Sequence, residues 1–270
     1  MLATAEVAAW PEMGDVFEQA ESKPLFWNLP VLACRAVGGD VAVAIPGAAA
    51  IACTHISIIL VDDMLDEDPR GEYRSIGIGP TANLALAFQA AAFRVVEQAA
   101  VSAERRAAIA ASLAWMALTT ALGQHLDVQN LEGEESYWKV VRAKSTAFYA
   151  APLHVGALLG NASAAVATGL RDFGAWLSEI LQIRDDLFDA FQRPANPDWT
   201  QGRNSLPILY ARTADHPDRA RFMDLLPQID DPQALREAQQ ILIACGAVSW
   251  CAYHQTPSGG PATAGEPPSR

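Results

Sequence analysis

Residues Val41–Asp66 read VAVAIPGAAAIACTHISIILVDDMLD, an uncharged run of Ala, Ile and Val that stops abruptly in aspartates. The run is too long for a strand and lacks strict alternation, so it reads as a helix, and one apolar on every side reads as a helix surrounded by others. Its length would also suffice to cross a bilayer. Pro46, Thr54, His55 and Ser57 inside it, the acidic residues after it and the lack of flanking Lys or Arg argue instead for the centre of a helical domain, with no stable membrane insertion. On either side, breaks fall at Gly38-Gly39-Asp40, Asp68-Pro69-Arg70-Gly71, Gly77–Pro80, Leu131–Glu134, Gly160–Ser163, Pro194–Asn204, His216-Pro217 and Asp231-Pro232. Helix-length segments rich in Ala and Leu lie between them, which makes the chain all-α, a single bundle of about ten helices. Asp231 and Pro232 together mark a helix start. Residues 1–254 form the expected domain; 255–270, rich in Pro, Gly, Ser and Thr, read as a disordered tail.

With 51% hydrophobic residues in 270, the chain has material for one large core. Cys34, Cys53, Cys245 and Cys251 show neither Cys-x-x-Cys spacing nor a disulfide framework. Met1–Trp10 has no basic region ahead of an apolar stretch, so no secretory signal is expected and a cytoplasmic location is. A net charge of −12 excludes binding to a nucleic-acid backbone, which needs clustered Lys and Arg. It also repels any polyphosphate unless metal cations reverse the local sign.

Two places supply ligands for such cations. Asp62-Asp63-Met64-Leu65-Asp66 closes the opening run, and Asp185-Asp186-Leu187-Phe188-Asp189 closes a second apolar segment. On a helix the outer aspartates of each cluster lie four apart on one face, where a pair can grip a hard cation through oxygen. A single cluster of this kind is usually a solvated helix end. Two clusters, each set against its own like charges and the negative end of a helix dipole, call for counter-cations. Mg²⁺ held by a few carboxylates keeps coordination positions for phosphate oxygens.

Further residues follow in a fixed order: Lys23, Gly38-Gly39-Asp40, His55 seven before Asp62, Gly123-Gln124 with Asp127, Lys144-Ser145-Thr146, Gln182 three before Asp185, and Asp198 with Gly202-Arg203-Asn204-Ser205-Leu206-Pro207. With the paired Asp-Asp-x-x-Asp clusters, this pattern over about residues 23–250 resembles the trans-isoprenyl diphosphate synthases, or polyprenyl synthetases. The resemblance implies an all-α fold around a central cavity and a homodimer. It implies that Asp62, Asp66 and Asp185 are the principal ligands of three Mg²⁺ ions, supported by Asp63, Asp186 and Asp189. Arg70, Lys144 and Arg203 would hold the diphosphate of an allylic prenyl substrate, and Lys23 and His55 that of isopentenyl diphosphate. Oxygens near Ser145, Thr146 and Gln182 would stabilise the allylic cation, with Lys144, Thr146 and Gln182 as the catalytic set. Taken singly, Lys144 would read as a solvated charge, Gln182 as a surface group and His55 as a hydrogen-bonded core histidine.

Departures concentrate on the second diphosphate site. With Lys23 in register, Pro24 and Phe26 stand at the family's two arginine positions and Trp27 at its proline. Only Arg70 follows the first cluster, with Arg74 a substitute for its missing neighbour, and Arg193 is the one candidate for the lysine that follows the second. A phenylalanine cannot replace the bidentate fork of an arginine. The leading expectation is prenyl transfer from an allylic diphosphate to isopentenyl diphosphate. A class I terpene cyclase acting on one prenyl diphosphate is the alternative. Ser57 and Ile58, where the family sets its chain-length floor, are not aromatic, which leaves room for a chain of at least farnesyl length.

Overall fold

The structure, a computed structural model, describes residues 9–21 and 26–254; Lys23, Pro24 and the tail 255–270 lie outside them. Among the described residues the chain is helical, without strands. Its helices are α1 (Pro11–Glu21), α2 (Leu29–Ala36), α3 (Val41–Leu65), α4 (Tyr73–Ile76), α5 (Ile78–Glu97), α6 (Ala103–Asp127), α7 (Glu134–Lys144) and α8 (Thr146–Leu159). There follow α9 (Ala164–Ala190), α10 (Pro197–Thr200), α11 (Leu206–Thr213), α12 (Arg219–Leu225), α13 (Pro232–Ala244) and α14 (Ala247–His254), with a 3₁₀ turn at Leu226–Gln228. These exceed the expected number because the breaks between long segments wind into short helices of their own, such as α4 and α10.

Local chemistry sets the helix ends. Asp40, extended at φ −73° and ψ 127°, accepts a 2.9 Å hydrogen bond from the amide of Ala42 and starts α3. Ser102 does the same for α6 through the amide of Arg105. At the expected start, Asp231 accepts from Gln233 N at 2.7 Å with Pro232 in the first helical position.

The described chain divides into two compact units. One comprises the chain up to Val128 together with Arg142–Ser178; the other comprises Gln129–Val141 together with the chain from Glu179 onward. In the first unit α3 is the central element. Its Ile51, Ile56 and Leu60 join Leu84 and Phe88 of α5, Leu113 and Met116 of α6 and Val155 of α8 in one core. Fully burying each such side chain stabilises the fold by roughly 1.5–3 kcal/mol. By length and composition both α3 and α6 could cross a membrane, but 61% of the apolar window of α3 is buried inside the protein.

The second unit has two clusters. Phe222, Leu242, Ile208 and Trp199 form one, and Tyr137, Ile183, Leu206 and Cys251 form the other. The end of α9 is tied down by polar contacts: Trp199 Nε1 and Gln239 Nε2 each donate to the carbonyl of Ala190 at 3.1 Å.

Candidate active site

Within the first unit the acidic end of α3 meets α6 and the end of α7. Lys144 Nζ lies 2.7 Å from Asp127 Oδ2, 3.2 Å from Asp62 Oδ1 and 3.8 Å from Asp66 Oδ2. Gln124 Nε2 donates to Asp66 Oδ1 at 2.9 Å. Three carboxylates thus share one ammonium. Burial pushes Asp62 above the usual carboxylate range, Lys144 pulls it down, and Asp66 and Asp127 push it up again. Burial lowers Lys144, but the surrounding carboxylates outweigh it and leave the ammonium harder to deprotonate than a free lysine. The close approach of α6 to Lys144 depends on Gly123, where a Cβ would fall 2.2 Å from Lys144 N and 2.5 Å from its Cα.

The donor set is all oxygen and carries more negative charge than Lys144 neutralises, which suits a hard divalent cation. Gln124 Oε1, buried beside Asp66 without a hydrogen-bond partner, adds a further oxygen. Among the described residues no three acidic, His or Cys side chains are already gathered tightly enough to hold an ion. Lys144 stands among them instead.

Other expected residues of this unit have different fates. His55, 3% exposed, stacks on Phe148 with ring centroids 4.6 Å apart, and neither ring nitrogen makes a hydrogen bond of good geometry. Burial pulls its pKa down to about 4, so the ring is neutral and offers no charge to a diphosphate. It is a core histidine, as the residue taken alone suggested, and the backbone of Phe148 partly opposes the effect of burial. Arg70 is exposed and makes a bidentate pair with Asp68, at 3.0 and 2.7 Å. It lines a small open cleft of about 60 Å³ together with Val16, Ala20, Ile56, Leu60 and Asp63. Gly71 keeps this turn tight, since a Cβ there would fall 2.9 Å from that of Asp63.

Arg74, the substitute for the missing arginine, sits over the Tyr73 ring and donates to Glu67 O. Phe26 is half exposed with its ring 5.4 Å from that of Tyr149, and Trp27 stacks on Phe17 at 5.3 Å. Aromatic surface therefore replaces cationic surface here. Ser57 is buried, Ile58 partly so, and Thr146 opens α8.

The second acidic cluster lies in the second unit and its three aspartates differ. Asp185 is exposed and pairs with Arg184 at 2.8 Å, and Asp189 accepts from Gln192 Nε2 at 2.6 Å. Asp186 is turned inward, 5% exposed, and both its oxygens are taken: Oδ1 by Gln182 Nε2 and Oδ2 by the amide of Leu206, each at 2.9 Å. Burial raises its pKa to about 7, and those two hydrogen bonds oppose the rise. This placement does not suit the metal-supporting part the resemblance gives it. Arg203 donates to Gln201 and Asn204 to the carbonyl of Gly133. Arg193, the stand-in for a lysine, instead binds Gln239 at 3.1 Å.

Sequence reasoning took Asp127 only as part of a motif and missed its ion pair with Lys144. The four-residue spacing of Gln182 and Asp186 was the available signal for their contact.

The chain matches the family model described as polyprenyl synthetase over residues 15–242. A short chain isoprenyl diphosphate synthase of Methanothermobacter thermautotrophicus is 29% identical over 253 residues, 86% of this chain and 75% of that protein. An octaprenyl diphosphate synthase of Escherichia coli is 26% identical over 239 residues, 82% of this chain and 72% of that one. Among solved structures, a geranylgeranyl pyrophosphate synthetase from Pyrococcus horikoshii has a TM-score of 0.79 at 22% identity, covering 89% of this chain and 78% of its own. A polyprenyl synthase from Caulobacter crescentus, complexed with calcium and isoprenyl diphosphate, has a TM-score of 0.73 at 23% identity, covering 93% and 79%.

Proposed function

The chain belongs to the polyprenyl synthetase family, and from that premise we propose how its residues carry the reaction. It is a prenyltransferase that condenses an allylic diphosphate with isopentenyl diphosphate to give a longer isoprenyl diphosphate. Asp62 and Asp66 at the end of α3, and Asp185 and Asp189 on α9, are the ligands proposed for Mg²⁺, with three ions bound alongside the substrate. When bound, the metal neutralises diphosphate and polarises the breaking C–O bond. The observation that carries this reading is the crowd of three carboxylates around Lys144. Such a crowd carries surplus negative charge, and an incoming Mg²⁺–diphosphate supplies both the cation for the aspartates and an anion for the displaced ammonium.

On this reading Lys144 turns from the carboxylates to the leaving diphosphate, aided by the exposed Arg70 and by Arg203. Thr146 and Gln182 offer oxygens to the allylic cation, and the apolar walls from α3 and α8 exclude water that would quench it. Lys23 and a rearranged Arg74 are the proposed contacts of isopentenyl diphosphate, since His55 is buried and neutral. A product of at least farnesyl length is proposed, because Ser57 and Ile58 place no aromatic ring below the carboxylates.

A homodimer is proposed through the outer faces of α5 and α6. Leu86 is 69% exposed there, Leu118 75%, Leu122 54% and Trp115 39%. That apolar stripe gains by being covered. A cytoplasmic location is proposed in keeping with four free cysteines.

The test is to incubate the protein with Mg²⁺ and geranyl, farnesyl or geranylgeranyl diphosphate, with and without isopentenyl diphosphate, and to identify products by mass spectrometry. Longer diphosphates that form only with isopentenyl diphosphate are expected. A hydrocarbon or alcohol made from one allylic substrate alone would overturn the condensation.

A further inference from the structure

The carboxylates around Lys144 are not held alike. Asp62 lies inside α3, whereas Asp66 is its C-cap, at φ −83° and ψ −3°, and the next residue, Glu67, already has a φ of +53°. The chain thus leaves the helix directly after Asp66, with no further turn of α3 to brace that residue. Lys144 reaches it only weakly. Its Nζ is 2.7 Å from Asp127 and 3.2 Å from Asp62, but 3.8 Å from Asp66 Oδ2, beyond hydrogen-bonding distance. A neutral group from another helix makes the closer contact: Gln124 of α6, 4% exposed, donates from Nε2 to Asp66 Oδ1 at 2.9 Å. The same helix brings Asp127, three residues on, to Lys144, and Gly123 allows α6 to come this near.

We propose that Gln124 is a positioning residue for the metal. Its NH₂ group holds Asp66 Oδ1, which leaves Oδ2 on the side where Asp62 Oδ1 and Lys144 meet, and it keeps that carboxylate aimed when Lys144 moves to the diphosphate. The inference rests on the prenyl-transfer reading and its Mg²⁺ ligands, and deepens them. A charged holder would leave with the substrate or cancel the charge that attracts the ion, whereas a neutral donor does neither. A carboxylate ordered by such a hydrogen bond binds its ion more tightly than one that must first be ordered.

Gln124→Met tests this by removing the donor while keeping the length of the side chain. The Mn²⁺ affinity of the substrate-free protein, read by spin resonance, is expected to fall about 10- to 100-fold with helix content unchanged. The Mg²⁺ concentration for half-maximal turnover is expected to rise by a similar factor, while kcat at saturating Mg²⁺ stays near that of the wild type. In an Asp66→Asn background, where no carboxylate is left to aim, Gln124→Met is expected to change Mn²⁺ affinity by less than about twofold.

A cost as large in Asp66→Asn as in the wild type would mean that Gln124 acts otherwise than through Asp66, and would overturn the proposal. So would undiminished Mn²⁺ affinity in Gln124→Met, or a kcat that stays low however much Mg²⁺ is added. Should Gln124→Met not fold, Gln124→Asn, one methylene too short to reach Asp66, takes its place with the same expectations. A wild-type protein that takes up no Mn²⁺ would strike the metal reading itself; Mn²⁺ binding by the wild type without these losses strikes only the part given to Gln124.

Discussion

Lys144 and His55 show how surroundings decide what a titratable side chain does. Lys144 is the positive charge among Asp62, Asp66 and Asp127, so it competes with any metal for the same oxygens. Lys144→Met is expected to bind Mg²⁺ more tightly without substrate and to turn over at least about 10²-fold more slowly, because the leaving diphosphate loses its ammonium. Isothermal titration and steady-state kinetics on the same sample separate the two effects. His55 gives the pH dependence. Its pKa is 6.5 unfolded and about 4 folded, so as pH falls through that interval the unfolded chain takes up a proton that the native chain refuses. The contribution is fully present above pH 6.5 and is lost on acidification toward 4, on the order of 3 kcal/mol in all. Denaturant midpoints between pH 7 and 4 are expected to fall less steeply in His55→Phe than in the wild type.

Among the helices, α3 and α6 owe their placing to small features. Asp40 caps α3 through the Ala42 amide, so Asp40→Ala is expected to lower stability by about 1 kcal/mol, a melting shift of roughly 2–4 °C in a chain of this size. Gly123 has a larger effect. A methyl group there meets the backbone of Lys144, which cannot swing aside like a side-chain tip. Gly123→Ala is expected to destabilise by about 1–3 kcal/mol as α6 and the end of α7 move apart. Activity falls with it, because Lys144 leaves the carboxylates; a thermal melt paired with an assay below the melting temperature checks both. These helices were readable in advance. The uncharged run before Asp62, the breaks at glycine and proline, and the Asp231-Pro232 start all reflect local preferences that survive in the folded chain. The short helices α4 and α10 were not foreseen, since four-residue turns fall within segments whose composition reads as loop.

For the molecule as a whole, the stripe of Leu86, Trp115, Leu118 and Leu122 is the feature with a consequence for assembly. Leu118→Glu with Leu122→Arg is expected to convert a dimer of about twice 28.9 kDa into a monomer in light scattering, with the helical spectrum unchanged. A wild-type protein of monomer mass would end that proposal. The charge of −12 acts globally too: turnover is expected to fall to background on chelation with EDTA and to return with Mg²⁺, since the fixed cations Lys144, Arg70 and Arg203 are too few to offset both the aspartates and a diphosphate.

Helicity, the positions of the acidic clusters and the family whose chemistry they serve were all legible in the sequence, because composition, helix caps and motif spacing are properties of neighbours along the chain. Which aspartate faces inward, which cation stands among the others, and whether a histidine is charged depend on the rotation of each helix against its neighbours. Those are settled by packing alone. Asp186 and Asp185 are adjacent in sequence and equal in charge, but a turn of about 100° about the α9 axis puts one against the Leu206 amide and the other in water.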